Sequence, residues 1–278
     1  MLSLTLGPLA LPLPPLLLGA GLGVALLLLR LLAPRAAREA LANRLWLALA
    51  LGLLAARVLY LLRHAEAYAA SPWAMLDVRD GGWLPVGGAV AGLAVLLLQA
   101  PSERTLRRPL LLAAFAGLAA WQIADGLALR RGAGAQALPA VQLVALPLVA
   151  APPGAGAQPL PSLRDGRPLV VNLWASWCGP CRAEMPMLAA AQQRERGVRF
   201  LFVNQGETPA TVQAWLARER LPLQDVWLDP AAVLGPALGS RALPTTLFVD
   251  AQGRRVAAHV GALNEAALRV RLQELVAP

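Results

Sequence analysis

The residues most able to do chemistry are Cys178 and Cys181, the only two cysteines in 278 residues, spaced as Trp177-Cys178-Gly179-Pro180-Cys181. Two cysteines make no disulfide framework. A zinc site needs two further ligands, and the two histidines, His64 and His259, are remote in sequence. A close pair in an otherwise cysteine-free chain favours redox exchange. The pair follows an apolar, β-rich run, Pro168–Trp174, and opens a stretch that reads as a helix, Cys178–Arg194. At a helix N-terminus the first N–H groups are unpaired and the macrodipole is positive, so a thiolate is stabilised there. Cys178 is then the exposed attacking thiolate. Cys181, one turn further in, is the shielded resolving thiol that closes the intramolecular disulfide. Gly179 and Pro180 tighten the turn between them. The alternative is an inert buried pair or half a metal site.

The elements that must position this pair form an alternating series. Strands are predicted at Pro168–Trp174, Val198–Asn204, Val226–Leu228, Thr245–Asp250 and Arg254–Val260. Helices are predicted at Cys178–Arg194, Thr208–Arg220, Pro230–Leu238 and Asn264–Val276, the last with Asn264 as N-cap. This alternation implies an α/β layer fold: a central mixed sheet flanked by helices, over residues 137–278. Ala137–Ala151 is apolar but broken by Pro139 and Pro147. It reads as one or two edge strands, with a broken membrane segment as the rival reading.

The first 130 residues differ. The whole chain is 57% hydrophobic and 15% charged, too apolar for one soluble globule. Four apolar runs, Leu9–Ala33, Leu41–Leu62, Trp83–Ala100 and Pro109–Leu129, each approach the length of a membrane-crossing helix. An all-α membrane domain of about four transmembrane helices is expected over 1–130, with a linker at 131–136. A cleavable leader fits the start less well, because the first Arg is Arg30. All 25 basic residues are Arg. They are scattered and form no nucleic-acid stripe. Arg30, Arg35, Arg38 and Arg44 fill the first gap, and Arg104, Arg107 and Arg108 the third. Against these seven stand four, Arg63, Arg79, Arg130 and Arg131, on the other side. Positive gaps stay inside, so both termini and the α/β domain are expected on the outer, periplasmic side of an inner membrane. That compartment is oxidising.

The segment Val170-Val-Asn-Leu-Trp-Ala-Ser-Trp-Cys-Gly-Pro-Cys-Arg-Ala-Glu-Met-Pro186 resembles the active-site block of thioredoxin-like proteins of the TlpA/ResA/DsbE group, periplasm-facing, membrane-tethered disulfide reductases. The likeness continues through Ala242–Asp250 and Gly253. The resemblance implies a thioredoxin-like fold and a cis Pro244 beside the cysteines. It also makes Glu184 an active-site acid. A cis bond at Pro244 lets Leu243 present its backbone to an extended substrate. A carboxylate near the pair raises thiol pKa values and shuttles protons. The plain alternatives are a trans turn proline and a solvated helix acid. Asn172 stands where cytoplasmic thioredoxins carry a buried Asp. Trp174 and Trp177 are packing and substrate-groove residues. The resemblance further implies protein disulfide substrates, such as apocytochrome c or a copper-site protein, and a transmembrane thiol-reductase donor of the DsbD/CcdA kind. No cofactor, metal or nucleic acid is expected.

Within the first half, Ala56–Tyr60, Trp73–Asp80 and Gly81–Gly88 are similar to the N-terminal part of prolipoprotein diacylglyceryl transferases. That family has a His before the paired glycines, where this chain has Val86. Its third glycine falls on Ala91, with Gly92 one place late. Arg57 at membrane depth either faces a polar partner or snorkels to the surface. Gly87 and Gly88 read as close helix packing. Two further functions follow as alternatives: a lipid-modifying transferase with an accessory redox domain, and a non-catalytic thiol- or copper-holding module.

Overall fold

The computed structural model describes residues 3–6, 9–69, 71–133, 137–146 and 156–276. The chain divides into two compact units, one of Leu13–Ala69 with Gly82–Arg130 and the other of Met1–Pro12, Ala70–Gly81 and Arg131–Pro278.

The first unit is helical. Its elements are α1 (Leu13–Leu32), α2 (Arg38–Arg63), α3 (Ala65–Ala69), α4 (Pro85–Leu98) and α5 (Arg104–Ala133). α1, α2 and α5 are long and apolar enough to cross a membrane. α4 has 14 residues, about 21 Å at 1.5 Å per residue, short of the ~30 Å hydrocarbon core. The run expected over Trp83–Ala100 is therefore shorter as a helix. It begins at Pro85, whose missing N–H suits a first turn. The first run also begins later than expected. Leu9–Pro12 forms strand β2, antiparallel to β1 (Ser3–Leu6), and α1 starts at Leu13 with Pro14 and Pro15 in its first turn. α5 continues to Ala133, into the stretch expected as linker 131–136, and 134–136 lie outside the described residues.

Large apolar side chains such as Leu27, Leu54, Leu98 and Phe115 face outward, while Ala25, Ala48 and Ala56 are buried together with Leu29, Leu41, Leu45, Leu96 and Leu110. A Cβ added at Gly88 would lie 2.7 Å from the Ala56 Cβ and 2.8 Å from the Gly52 carbonyl. One at Gly92 would lie 3.0 Å from the Ala48 carbonyl. α2 and α4 therefore meet backbone to backbone along an Ala48/Gly52/Ala56 stripe. α1 and α5 meet likewise at Gly21 and Gly117, where each added Cβ would lie 2.7 Å from the other's carbonyl. Lipid gives helices no hydrophobic reason to associate, so close van der Waals contact must supply it. Arg57 does not snorkel. It is buried, donates from Nη1 to the Gly82 carbonyl at 2.8 Å, and lies 5.5 Å from the centre of the Tyr68 ring.

The second unit holds a seven-stranded mixed sheet. Its strands are β3 (Gln142–Ala145), β4 (Gln158–Pro159), β5 (Leu169–Trp174), β6 (Arg199–Gln205), β7 (Val226–Asp229), β8 (Thr245–Val249) and β9 (Arg255–Val260), in spatial order β4-β3-β7-β6-β5-β8-β9. β5, β6 and β7 are parallel, and the other pairings are antiparallel. The helices are α6 (Gly179–Arg194), α7 (Pro209–Glu219), α8 (Leu234–Ala237) and α9 (Glu265–Val276). Of the apolar stretch expected as edge strands, β3 is one; 147–151 lie outside the described residues.

Every residue of β5 is buried, as a central strand covered on both faces requires. Alternation divides its side chains. Val170 and Trp174 join Met185, Leu188, Val212, Trp215, Leu268 and Leu272 from α6, α7 and α9. Leu169, Val171 and Leu173 join Leu160, Leu163, Leu234 and Leu238 on the other face. Asn264 accepts from the Ala267 N–H at 2.9 Å, the expected N-cap of α9. The helix expected over Pro230–Leu238 shrinks to α8. Ala232 has a left-handed φ of 50°, and the Asp229 carboxylate takes the Leu234 N–H at 2.8 Å, so helix begins only there.

Candidate active site

β5 ends at Trp174, and four residues later Cys178 caps α6. Its Sγ accepts the Cys181 N–H at 3.2 Å, so the first sulfur sits on the open N–H end of the helix. The Cys178 carbonyl takes the Arg182 N–H at 3.0 Å, the first helical bond of the turn. Pro180, in the first turn, needs no such partner. The two cysteines are joined as a disulfide with Cα atoms 5.3 Å apart. Cys178 was expected to be exposed; in the disulfide it keeps only 5% of its surface, against 0% for Cys181. Its sulfur sits over the start of α6, on the Cys181 N–H. Its neighbours Gly179 and Pro180 are exposed, and Trp177 is 70% exposed. Trp174 is the reverse, fully buried with its ring 5.0 Å from Trp215.

Glu184 lies one turn beyond Cys181 and is buried, not the solvated helix acid of the plain reading. Its Oε1 accepts from Asn172 Nδ2 at 2.9 Å and its Oε2 from the Leu263 N–H at 2.7 Å. Asn172 Nδ2 also donates to Thr246 Oγ1 at 3.0 Å. Burial pushes the Glu184 carboxyl up to about 7, and the hydrogen bonds from Leu263 and Asn172 only partly oppose it. The side chain can therefore hold or release a proton near neutrality. Pro244 is buried and follows a cis peptide bond, while Leu243 is half-buried. The Pro244 carbonyl takes the Gly261 N–H at 2.9 Å, tying its loop to the β9–α9 turn.

Sequence reasoning did not foresee who holds Glu184. Asn172 had a legible signal: strand alternation puts it on the face of Val170 and Trp174, where α6 packs. Thr246 and the Leu263 amide come from β8 and from a turn 79 residues away from Glu184. A second acid was also missed. Glu207 accepts from the Ser176 N–H at 2.7 Å, from the Ser176 hydroxyl and from Asn204 Nδ2 at 2.6 Å, beside the Trp-Cys step.

With this geometry in view, the chain is 35% identical over 162 residues to the thiol:disulfide interchange protein HelX of Rhodobacter capsulatus, covering 58% of this chain and 88% of that protein. The chain belongs to the thiol:disulfide interchange protein family. Within that family it is 36% identical over 107 residues to DsbE of Pseudomonas fluorescens biotype C, covering 38% of this chain and 59% of that one. It is 32% identical over 116 residues to the thiol-disulfide oxidoreductase ResA of Halalkalibacterium halodurans, covering 41% and 65%. The family model described as Redoxin matches residues 134–271. The crystal structure of a thiol:disulfide interchange protein of Chlorobium tepidum superposes with a TM-score of 0.42 at 22% identity, covering 51% of this chain and 97% of that one. A second family model, described as Prolipoprotein diacylglyceryl transferase, matches residues 2–134. This interchange protein thus joins a thioredoxin-like domain to a transferase-like helical region. Its cysteine pair makes it a thiol-disulfide oxidoreductase.

Proposed function

We propose that this oxidoreductase is anchored in the bacterial inner membrane, faces the periplasm and reduces disulfides in exported proteins. The observation that carries the reading is the Cys178 sulfur held on the α6 N-terminus with Cys181 behind it and the buried acid Glu184 one turn on.

In the reduced protein the Cys178 thiolate attacks a substrate disulfide. A Cys178–substrate bond forms, and one substrate sulfur leaves as a thiolate. Cys181 then loses its proton and attacks the Cys178 sulfur. The mixed disulfide breaks, the second substrate thiolate leaves, and the Cys178–Cys181 bond closes. Two electrons have passed to the substrate. Glu184 exchanges the protons this requires. Trp177, Gly179 and Pro180 border the attacking sulfur, and Leu243, before Pro244, offers its backbone to an extended substrate. The resulting disulfide must be reduced again, and a transmembrane dithiol reductase of the DsbD/CcdA kind fits the compartment. Cytochrome c or metal-site maturation fits as the consumer of the reduced thiols.

Packing within the helical unit supports both termini lying outside. Gly52 pairs with Gly88 and Ala48 with Gly92, so α4 runs antiparallel to α2, and Arg44 donates to the Gln99 carbonyl at 2.6 Å. Gly21 and Ala25 pair with Trp121 and Gly117, so α5 is antiparallel to α1. Leu29, Leu41, Leu45, Leu96 and Leu110 gather at one end. Both Arg-rich gaps share that end, as an up-down bundle with a positive inner side requires.

The test is to trap partners. Cys181→Ser in cells should accumulate mixed disulfides on Cys178 with exported thiol proteins. A strongly oxidising potential for the Cys178–Cys181 couple, or capture of cytoplasmic proteins only, would overturn the reductive, periplasmic reading.

A further inference from the structure

The Ser176–Trp177–Cys178 approach to α6 is held by a carboxylate that lies outside the cysteine motif and outside α6. Gly206, at φ 77°, turns the chain back after β6, and its N–H is fixed on the Asp229 carbonyl at 2.9 Å. A left-handed φ there suits glycine. The turn aims Glu207 at the end of the neighbouring strand β5. Trp174 of β5 is in register with Asn204 of β6, so the two strand ends are adjacent where Glu207 arrives. Glu207 Oε2 accepts both the Ser176 N–H at 2.7 Å and Asn204 Nδ2 at 2.6 Å, and Oε1 takes the Ser176 hydroxyl. Hydrogen bonds to an ionised acceptor are short and about twice as strong as neutral ones. A half-buried carboxylate thus spends three of its acceptor sites on the two residues that flank it, and one of those lies two positions before the attacking sulfur.

We infer that Glu207 is a positioning residue for thiol-disulfide exchange: it clamps Ser176 so that Cys178 is delivered onto the open N–H end of α6. This inference rests on the redox reading above. A sulfur displaced from the helix mouth loses the N–H contact and the dipole that favour its thiolate, so its pKa rises. Gln at 207 keeps the clamp. Its oxygen, in the place of Oε2, accepts from Ser176 and Asn204, and its amide nitrogen donates to the Ser176 hydroxyl, which can accept. Ala at 207 removes all three bonds.

The experiment is pH-dependent alkylation of Cys178 by iodoacetamide in the reduced full chain, reconstituted in lipid nanodiscs, for wild type, Glu207→Ala and Glu207→Gln. The expected result is a Cys178 pKa raised by about one unit in Glu207→Ala, roughly a tenfold loss of thiolate at neutral pH, and recovered to near wild type in Glu207→Gln. Wild-type titration by Glu207→Ala overturns the inference, because a merely structural acid lowers the melting temperature without moving the thiol. A Glu207→Gln shift as large as that of Glu207→Ala also overturns it, because charge and not position is then responsible. Should Glu207→Ala fail to fold, Ser176→Ala with Asn204→Ala removes two of the three donors. It carries the same expectation in smaller measure, and wild-type titration by that variant overturns the inference equally. Alkylation needs no disulfide substrate, so a wild-type chain that fails in turnover assays would defeat the redox reading without touching this result.

Discussion

Arg57 in the helical unit and Glu184 in the sheet unit are both buried ionisable side chains, and the chain supports them in different ways. Arg57 keeps its charge in any protein. It is placed where a carbonyl, Gly82, and an aromatic face, Tyr68, can receive it. Glu184 sits among apolar neighbours with donors from Asn172 and Leu263, and burial still outweighs them, so its carboxyl is pushed up to about 7. A fixed charge suits a framework, and a group that titrates near neutrality suits proton transfer. The frameworks differ in kind as well. At Gly21, Gly52, Gly88 and Gly117 of the helical unit an added Cβ would lie under 3 Å from a facing carbonyl, whereas the sheet unit fills two faces with Leu, Val, Phe and Trp. Close backbone approach serves where lipid is the solvent, and bulk burial serves where water is.

The contrast can be broken most sharply at the sulfur. Cys178→Ser should abolish disulfide exchange in an insulin-reduction assay while leaving the helical unit intact by circular dichroism. Residual turnover above background would mean that the chemistry lies elsewhere.

Next in size, Gly88→Leu should force α2 and α4 apart. Overpacking costs about 1–3 kcal/mol, read as a loss of thermal stability in detergent, with exchange by the folded fraction unchanged. A well-tolerated leucine would show that the glycine contact is not what holds these helices.

Glu184→Gln sharpens the comparison of buried charges. The folded carboxyl lies above its ordinary value of 4.5, so its contribution to stability is full below about 4.5 and is lost as pH rises through about 7. Removing the charge should stabilise the sheet unit above pH 7 by up to about 3 kcal/mol and flatten stability between pH 4.5 and 7. The same variant should slow exchange roughly a hundredfold. Denaturant titrations at pH 5 and pH 8 check the first effect and stopped-flow thiol exchange the second.

The smallest expected change in stability is at the exposed rim. Trp177→Ala should alter it by within about 0.5 kcal/mol, because surface positions contribute little, yet raise KM for a protein disulfide. An unchanged KM would remove Trp177 from the substrate surface.

Much of the sheet unit was legible because its signals are local. Strand alternation, a Gly-Pro turn between two cysteines and an Asn before α9 each act within a few residues, and β5 to β9, α6, α7 and α9 came out within a few positions of their predictions, whereas β4 had no prediction. The exceptions have local causes seen only in three dimensions, such as the left-handed Ala232 and the Asp229 cap that shorten α8.

The one-dimensional pattern by itself determined which segments are apolar enough for lipid, where strands and helices alternate, and which two sulfurs stand at a helix start. Tertiary structure alone decided that Arg57 turns inward, that Glu184 is buried with Asn172 and the Leu263 amide as partners, and that Glu207 reaches back to Ser176. Periodicity reports which face a residue takes. It is silent on which distant backbone N–H or carbonyl meets that residue, because such pairings are set by how the strands and helices pack.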